Sequence, residues 1–324
     1  MHSAETIDTS FQAGIETMIQ YVEVWTPNKD ASRLQLTSKQ VVGSSAERGH
    51  LTDVPEVQSG EGLPGRAWHL KSATILQEEP NELLKKISAA VGTELSALLA
   101  IPVFRQQEIR GVVVLGLGQG FGGAEVWNRD ERDELAVQVS HYCGLPSFEF
   151  ISKYTRFPKG AGVPGRVWIT GEAQMQKKLG QSDSFIRSFG NDPAIVSTVV
   201  GVPIGQSRGF PDSVLLLLSS AQNPLAGDIE LWNCRTITAT DETALPVVSL
   251  VRAESVGGSL EESDDMTTKF FPTWRGNLLE QLEMNGVPIL STSDELDLPW
   301  GTTFNLALPV FSKSELTGVL NLMF

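Results

Sequence analysis

Nine residues, Gly60–Trp68 (Gly-Glu-Gly-Leu-Pro-Gly-Arg-Ala-Trp), return 100 residues later as Gly160–Trp168 (Gly-Ala-Gly-Val-Pro-Gly-Arg-Val-Trp). A period that long exceeds any solenoid repeat and matches a small domain, so the chain must fold as repeated domain-sized units. Two further marks keep the period and extend it to a third unit. An acidic-apolar-tryptophan triplet occurs as Glu23-Val24-Trp25, Glu125-Val126-Trp127 and Glu230-Leu231-Trp232, at spacings of 102 and 105. An apolar-Pro-apolar triplet occurs as Ile101-Pro102-Val103, Val202-Pro203-Ile204 and Leu308-Pro309-Val310, each followed by a hydrophobic run: Val112–Leu117, Val214–Leu218 and Val319–Phe324. These marks predict units over residues 1–120, 121–224 and 225–324.

The glycine stretch has a local physical reading. Its three glycines open backbone conformations closed to residues with a β-carbon, and proline suits the first helical position. A tight turn feeding a short helix is expected. Arg66 and Arg166 then fall in the first turn, where a cation faces the positive end of the helix dipole and calls for an acidic partner or ligand. Trp68 and Trp168 are expected to point into the core as anchors. In unit three the Pro-Gly-Arg is replaced: Gly276 falls at the glycine position, Asn277-Leu278-Leu279-Glu280 follows, and Leu282 stands where the tryptophans stand.

Within unit one the pattern predicts a helical turn around Phe11–Ile19, strands over Tyr21–Trp25 and Leu34–Val42, a polar loop over Ser44–Ser59 and a brief strand near Ala73–Gln77. Asn81 is placed to cap a helix over Glu82–Val91, with Leu83, Leu84, Ile87 and Val91 on one face and Gly92 as its stop. Leu98–Phe104 and Ile109–Leu117 form a closing hairpin. Unit two repeats this order, with strands at Glu125–Trp127 and Leu135–Tyr142 and a short helix behind Ser182 or Asp183. Its closing pair is Ile195–Ile204 and Val214–Ser219, across the turn-rich Gly205–Asp212. Gly116–Ala124 and Ser219–Gly227 are too short to hold long connecting helices, so the units are expected to touch directly. In unit three Ser255–Asp265 reads as a loop.

Net charge is −14, from 25 basic and 39 acidic residues, which argues against nucleic acid or an anionic membrane as the main partner. No apolar window is long enough to span a bilayer, and the N-terminus lacks a signal-peptide pattern. Two cysteines, Cys143 and Cys234, exclude a disulfide scaffold and suggest a cytoplasmic protein.

The series Phe157-x-x-Gly160-x-Gly162-Val-Pro164-Gly165-Arg166-Val-Trp168-x-x-Gly171-Glu172, then Phe185-x-Arg187, then Gly201-Val-Pro203-Ile204, resembles a GAF domain of the kind found in bacterial sensor kinases. Unit one is similar through Gly60–Trp68 and Ala100–Val103, and unit three in outline. The resemblance implies an α+β protein of tandem GAF-like domains. Each would be a mostly antiparallel sheet of about five to six strands, with short helices on one face enclosing a pocket and terminal helices on the other. It makes Arg66, Trp68, Phe157, Arg166, Trp168, Phe185 and Arg187 the candidate ligand-binding residues.

Catalytic signals are weak. The glycine stretches fit Gly-x-Gly-x-x-Gly but open only short helices, so they do not make a dinucleotide site. None of His2, His50, His69 and His141 stands at ligand spacing from a cysteine or another histidine, so no metal and no cofactor is expected. The first reading is a non-enzymatic signalling or scaffold protein acting through a protein partner. The alternative is sensing of a small anionic metabolite or nucleotide in units one and two. Self-association into a homodimer stays open.

Overall fold

The structure, a computed structural model, describes residues 16–43, 56–77, 82–179, 195–205, 209–237, 247–256, 273–293, 295, 298 and 302–324. Most of the helical turn expected around Phe11–Ile19, the Asn81 cap, the short helix behind Ser182 with Phe185 and Arg187, and most of the loop after Ser255 lie outside these residues; the described end of that turn is not helical, and Ile19 opens the first strand.

Three antiparallel sheets follow one another. The first has strands β1 (Ile19–Pro27), β2 (Leu34–Val41), β3 (Glu56–Val57), β4 (Thr74–Leu76), β5 (Leu95–Arg105) and β6 (Glu108–Gly118), in the order β3-β2-β1-β6-β5-β4. Helices α1 (Gly62–Leu70) and α2 (Glu82–Val91) belong to it. The second has β7 (Gly122–Arg129), β8 (Leu135–Cys143), β9 (Arg156–Phe157), β10 (Gln174–Lys177), β11 (Val196–Ile204) and β12 (Ser213–Ser220), in the order β10-β11-β12-β7-β8-β9, with α3 (Pro146–Ser152) and α4 (Gly162–Thr170). The third has five strands, β13 (Asp228–Ile237), β14 (Val247–Val256), β15 (Ile289–Thr292), β16 (Phe304–Ser312) and β17 (Glu315–Met323), in the order β14-β13-β17-β16-β15, with α5 (Thr273–Asn285). The protein is therefore α+β, with the antiparallel sheets and short helices that the resemblance implies.

The acidic-apolar-tryptophan triplet does the same thing three times. It lies on the strand that opens each sheet, where residues two apart share a face. The indole Nε1–H of Trp25 donates to Glu23 Oε2 at 2.8 Å, that of Trp127 to Glu125 Oε2 at 2.8 Å, and that of Trp232 to Glu230 Oε2 at 2.9 Å. All six side chains are buried. Each carboxylate has additional donors: Tyr21 for Glu23, Tyr142 (2.7 Å) and Ser152 (3.0 Å) for Glu125, and Asn321 (3.3 Å) for Glu230. Burial pushes the Glu23 carboxyl above its ordinary range, while its hydrogen bonds to Tyr21 and Trp25 and the charge of Lys39 pull the other way. Even the pairing irregularity recurs, immediately before each tryptophan: between Val24 and Trp25, Val126 and Trp127, Leu231 and Trp232. Such a bulge re-aims the side chain that follows it, and here that side chain is the indole.

The proline triplets are as regular. A proline cannot donate to a sheet ladder, so it belongs where one neighbour strand has ended. In the three sheets the short neighbour pairs no further than Ala100, Gly201 and Ala307, each two residues before Pro102, Pro203 and Pro309. The flanking Ile101, Val103, Val202, Ile204, Leu308 and Val310 all enter one hydrophobic cluster. The three triplets meet around a void of about 20 Å³, room for about one water.

That cluster fits the expectation that the units touch directly, and departs only from the terminal helices that the resemblance implies. The resemblance implies helices on both faces of each sheet; in the described residues the second face of each sheet is covered by the other two sheets. Val22, Val24, Leu99 and Leu115 of the first meet Val126, Val200 and Leu215 of the second and Leu231, Leu306 and Leu320 of the third. Only residues 119–121 and 221–227 separate the units. Links that short hold the apolar faces beside one another, and burying them together removes them from water without terminal helices. The helix-side cores remain separate, one per unit.

Candidate functional site

The glycine stretch builds the same turn in both units. Gly60 and Gly62 have φ of +90° and +58°, Gly160 and Gly162 +79° and +59°. The third glycine is needed for closeness: a β-carbon on Gly65 would stand 2.1 Å from the Gln58 carbonyl oxygen, and one on Gly165 2.3 Å from that of Pro158. Gly60 N–H donates to the Gly65 carbonyl at 2.7 Å and Gly160 N–H to that of Gly165 at 2.9 Å. Backbone geometry thus accounts for every glycine of the pattern.

The helix begins two residues earlier than the sequence suggests. Gly62 and Gly162 open it, so Pro64 and Pro164 are third and Arg66 and Arg166 fifth, past the first turn. The arginines therefore do not face the helix's positive end. Arg66 is exposed; Arg166 is half-buried and donates through Nη2 to Gln176 Oε1 at 3.2 Å.

The two tryptophans part company. Trp168 is 1% exposed, in a core with Phe157, Val163 and Val167. Phe157 also packs edge-on against Trp127, centroids 4.8 Å apart. Phe210, just before β12, and Lys159 cover Trp168: the Phe210 ring lies 6.3 Å from the indole, and Lys159 Nζ lies 5.3 Å from the Trp168 centroid and 5.0 Å from that of Phe210. The space beneath the unit-two turn is filled. Trp68 is half-buried and forms a wall of an open cleft of about 640 Å³ between units one and three. Lys29 of the β1–β2 loop, Glu108 and Arg110 of β6, and Asn285 and Val287 of unit three also line it. Arg110 is held in place: Nε donates to the Asn285 carbonyl at 2.9 Å, Nη2 to the same oxygen, and Nη1 lies 3.7 Å from Glu108.

Of the residues that the resemblance nominates, the structure thus brings Phe157 and Trp168 together in a sealed core, leaves Arg66 and Arg166 outside it, and opens only Trp68 to a cleft. Phe185 and Arg187 lie outside the described residues. Lys29 and Arg110 carry no motif; the signal that could have pointed to them is the two-residue turn between β5 and β6, too short to cover Trp68. A second grouping corrects the reading of the histidines. His141 and Cys143, two apart on β8, share a face and place Nε2 and Sγ 3.4 Å apart. No cluster of three or more potential metal ligands occurs among the described residues, and none of their helices is long and apolar enough to cross a membrane.

No family model matches the chain. In sequence it is similar to a glutaminase of Agrobacterium fabrum (strain C58 / ATCC 33970), 28% identical over 143 residues. The match spans 42% of this chain and 44% of that enzyme. Among solved structures it is similar to an NreA protein of Staphylococcus aureus mutated in its nitrate-binding site, with a TM-score of 0.26 and 19% identity over 33% of this chain and 80% of that one.

Proposed function

We propose that this protein is a non-enzymatic small-molecule sensor that takes a small anionic ligand in the Trp68 cleft, with units two and three as its frame. One observation carries the reading: the same tryptophan is sealed in unit two and left open in unit one, on a cleft of ligand-site size. A half-buried indole offers a flat face for a planar group. Lys29 and Arg110 supply positive charge on a chain whose net charge is −14, and the fixed guanidinium loses little freedom on binding. The glutaminase similarity covers less than half of that enzyme, and among the described residues the cleft lining holds no serine, cysteine or histidine; the reading is of binding alone. The scaffold reading keeps one observation in its favour, the exposed and mutually packed Phe150 and Tyr154 on and beside α3.

The test is a thermal-shift screen of the full chain against nitrate, phosphate, small carboxylates and nucleotides, followed by titration on tryptophan fluorescence. At least one anion should raise Tm. Trp68→Ala should abolish the shift, and Lys29→Ala should weaken binding about tenfold, the worth of one charge-assisted contact. If no anion shifts the wild type, or Trp68→Ala responds like it, the reading is wrong.

A further inference from the structure

The seam between units one and two carries a side-chain constellation that the cleft does not use. His141 of β8 reaches across to unit one: its Nδ1 lies 2.9 Å from Gln77 Oε1, just past β4, and its Nε2 lies 2.9 Å from Ser96 Oγ on β5. Cys143 Sγ stands 3.4 Å from the same Nε2, 3.3 Å from Ser96 Oγ and 3.8 Å from the Gly118 carbonyl. An amide oxygen only accepts, so with Gln77 Oε1 facing Nδ1 the imidazole carries its proton there and presents the Nε2 lone pair to the thiol and hydroxyl. Burial holds His141 below its ordinary 6.5, opposed by the charge of Glu149, which keeps the ring a base at neutral pH. Nucleophile, base and a third group orienting the base make the arrangement that activates a thiol.

We propose that Cys143 is a peroxide-reactive thiol with His141 as its base. The substrate class is small hydroperoxides, because Cys143 is 8% exposed while Ser96 and His141 are half-buried and Gln77 is exposed; a small oxidant has a polar approach and a bulky one does not. In the step, Nε2 takes the thiol proton and the sulfur attacks one peroxide oxygen. The S–O bond forms as the O–O bond breaks, and the leaving oxygen receives the proton from His141. Sulfur is oxidised to a sulfenic acid and hydrogen peroxide is reduced to water. The Ser96 hydroxyl donates to the Leu117 and Gly118 carbonyls at 3.0 and 2.8 Å, which fixes its oxygen beside the thiol. Cys234 is the built-in contrast: burial and the charge of Glu283 push its thiol up to about 12, which leaves almost no thiolate at neutral pH.

The experiment treats the folded full chain with hydrogen peroxide in the presence of dimedone and measures labelling at each cysteine by peptide mass spectrometry. Cys143 should label at least about tenfold faster than Cys234, His141→Asn should slow it about tenfold or more, and Cys143→Ser should remove it. Gln77 is a positioning residue, so Gln77→Leu should slow labelling severalfold while Gln77→Glu, which keeps an oxygen acceptor, retains it. The Gln77 pair also decides the matter should His141→Asn fail to fold. The proposal is overturned if Cys143 labels no faster than Cys234, or if neither His141→Asn nor Gln77→Leu changes its rate. None of these readouts depends on the Trp68 cleft.

Discussion

Units one and two make the same turn from the same glycines with the same hydrogen bonds, and then put the tryptophan at its end to opposite uses. The cause lies outside the repeated stretch. Eight residues, 205–212, separate β11 from β12, and Phe210 among them lies against Trp168; between β5 and β6 only Gln106 and Gln107 intervene, which bring no aromatic to Trp68. A motif shared by two domains thus specifies the backbone it contains. Whether a pocket above it is open or filled is specified by a loop about 40 residues further along the chain.

Substitution of the tryptophans should strain that comparison hardest. Trp168→Ala should cost about 4 kcal/mol, as for a fully buried indole, and Trp68→Ala only about 1–2 kcal/mol; equal losses in urea unfolding would mean that the two sites are packed alike. Next come the close-approach glycines. Gly65→Ala and Gly165→Ala each drive a β-carbon into a carbonyl oxygen, so each should cost about 3 kcal/mol. Matching falls in Tm would support a common backbone, and tolerance at one position would break it. Phe210→Ala should cost about 1 kcal/mol, since Phe210 is itself 37% exposed. It should also make Trp168 accessible to acrylamide, turning unit two toward the state of unit one; unchanged quenching would remove Phe210 as the lid. The smallest effect concerns the helix ends. Both helices stop in the left-handed region, at Lys71 (φ 51°) and Gly171 (φ 69°), so Lys71→Gly should stabilise unit one by about 0.5–1 kcal/mol. A loss would point to the exposed Lys71–Gln107 hydrogen bond (2.8 Å) as the stronger term.

Much of the architecture was legible along the chain. Helix α2 buries Leu84, Ile87 and Val91 as its periodicity predicts, and Leu282 occupies the buried place that self-comparison assigns it. The hairpin β5–β6 turns where Arg105–Glu108 says it must. Helix α3 was missed: seven residues hold too few turns to show a period, and its Phe148 is buried while Phe150 is 63% exposed. The helix start was misplaced because proline is tolerated throughout the first turn, where its missing N–H has no partner to lose. No strand is expected over Val247–Val256, yet β14 lies there and takes in Ser255 and Val256, the first two residues of the expected loop. The candidate site fared worse, because Trp68, Lys29 and Arg110 meet only once the first sheet has formed, and Asn285 joins them only after unit three has packed against it.

What the amino-acid order decided alone is whatever depends on neighbours a few positions apart. That covers the glycine turn, the Glu-x-Trp pair on one strand face, the proline two residues past the last pairing, and hence three antiparallel sheets that each carry the same local marks. Tertiary packing decided the rest. Three sheets bury their second faces against one another, one tryptophan is lidded and the other is not, and a strand of unit two aligns His141 and Cys143 with Ser96 and Gln77 of unit one. The physical reason is range: local geometry follows from sterics and hydrogen bonds encoded within a few residues, whereas burial depends on which surfaces meet, and those surfaces come from residues about a hundred positions apart.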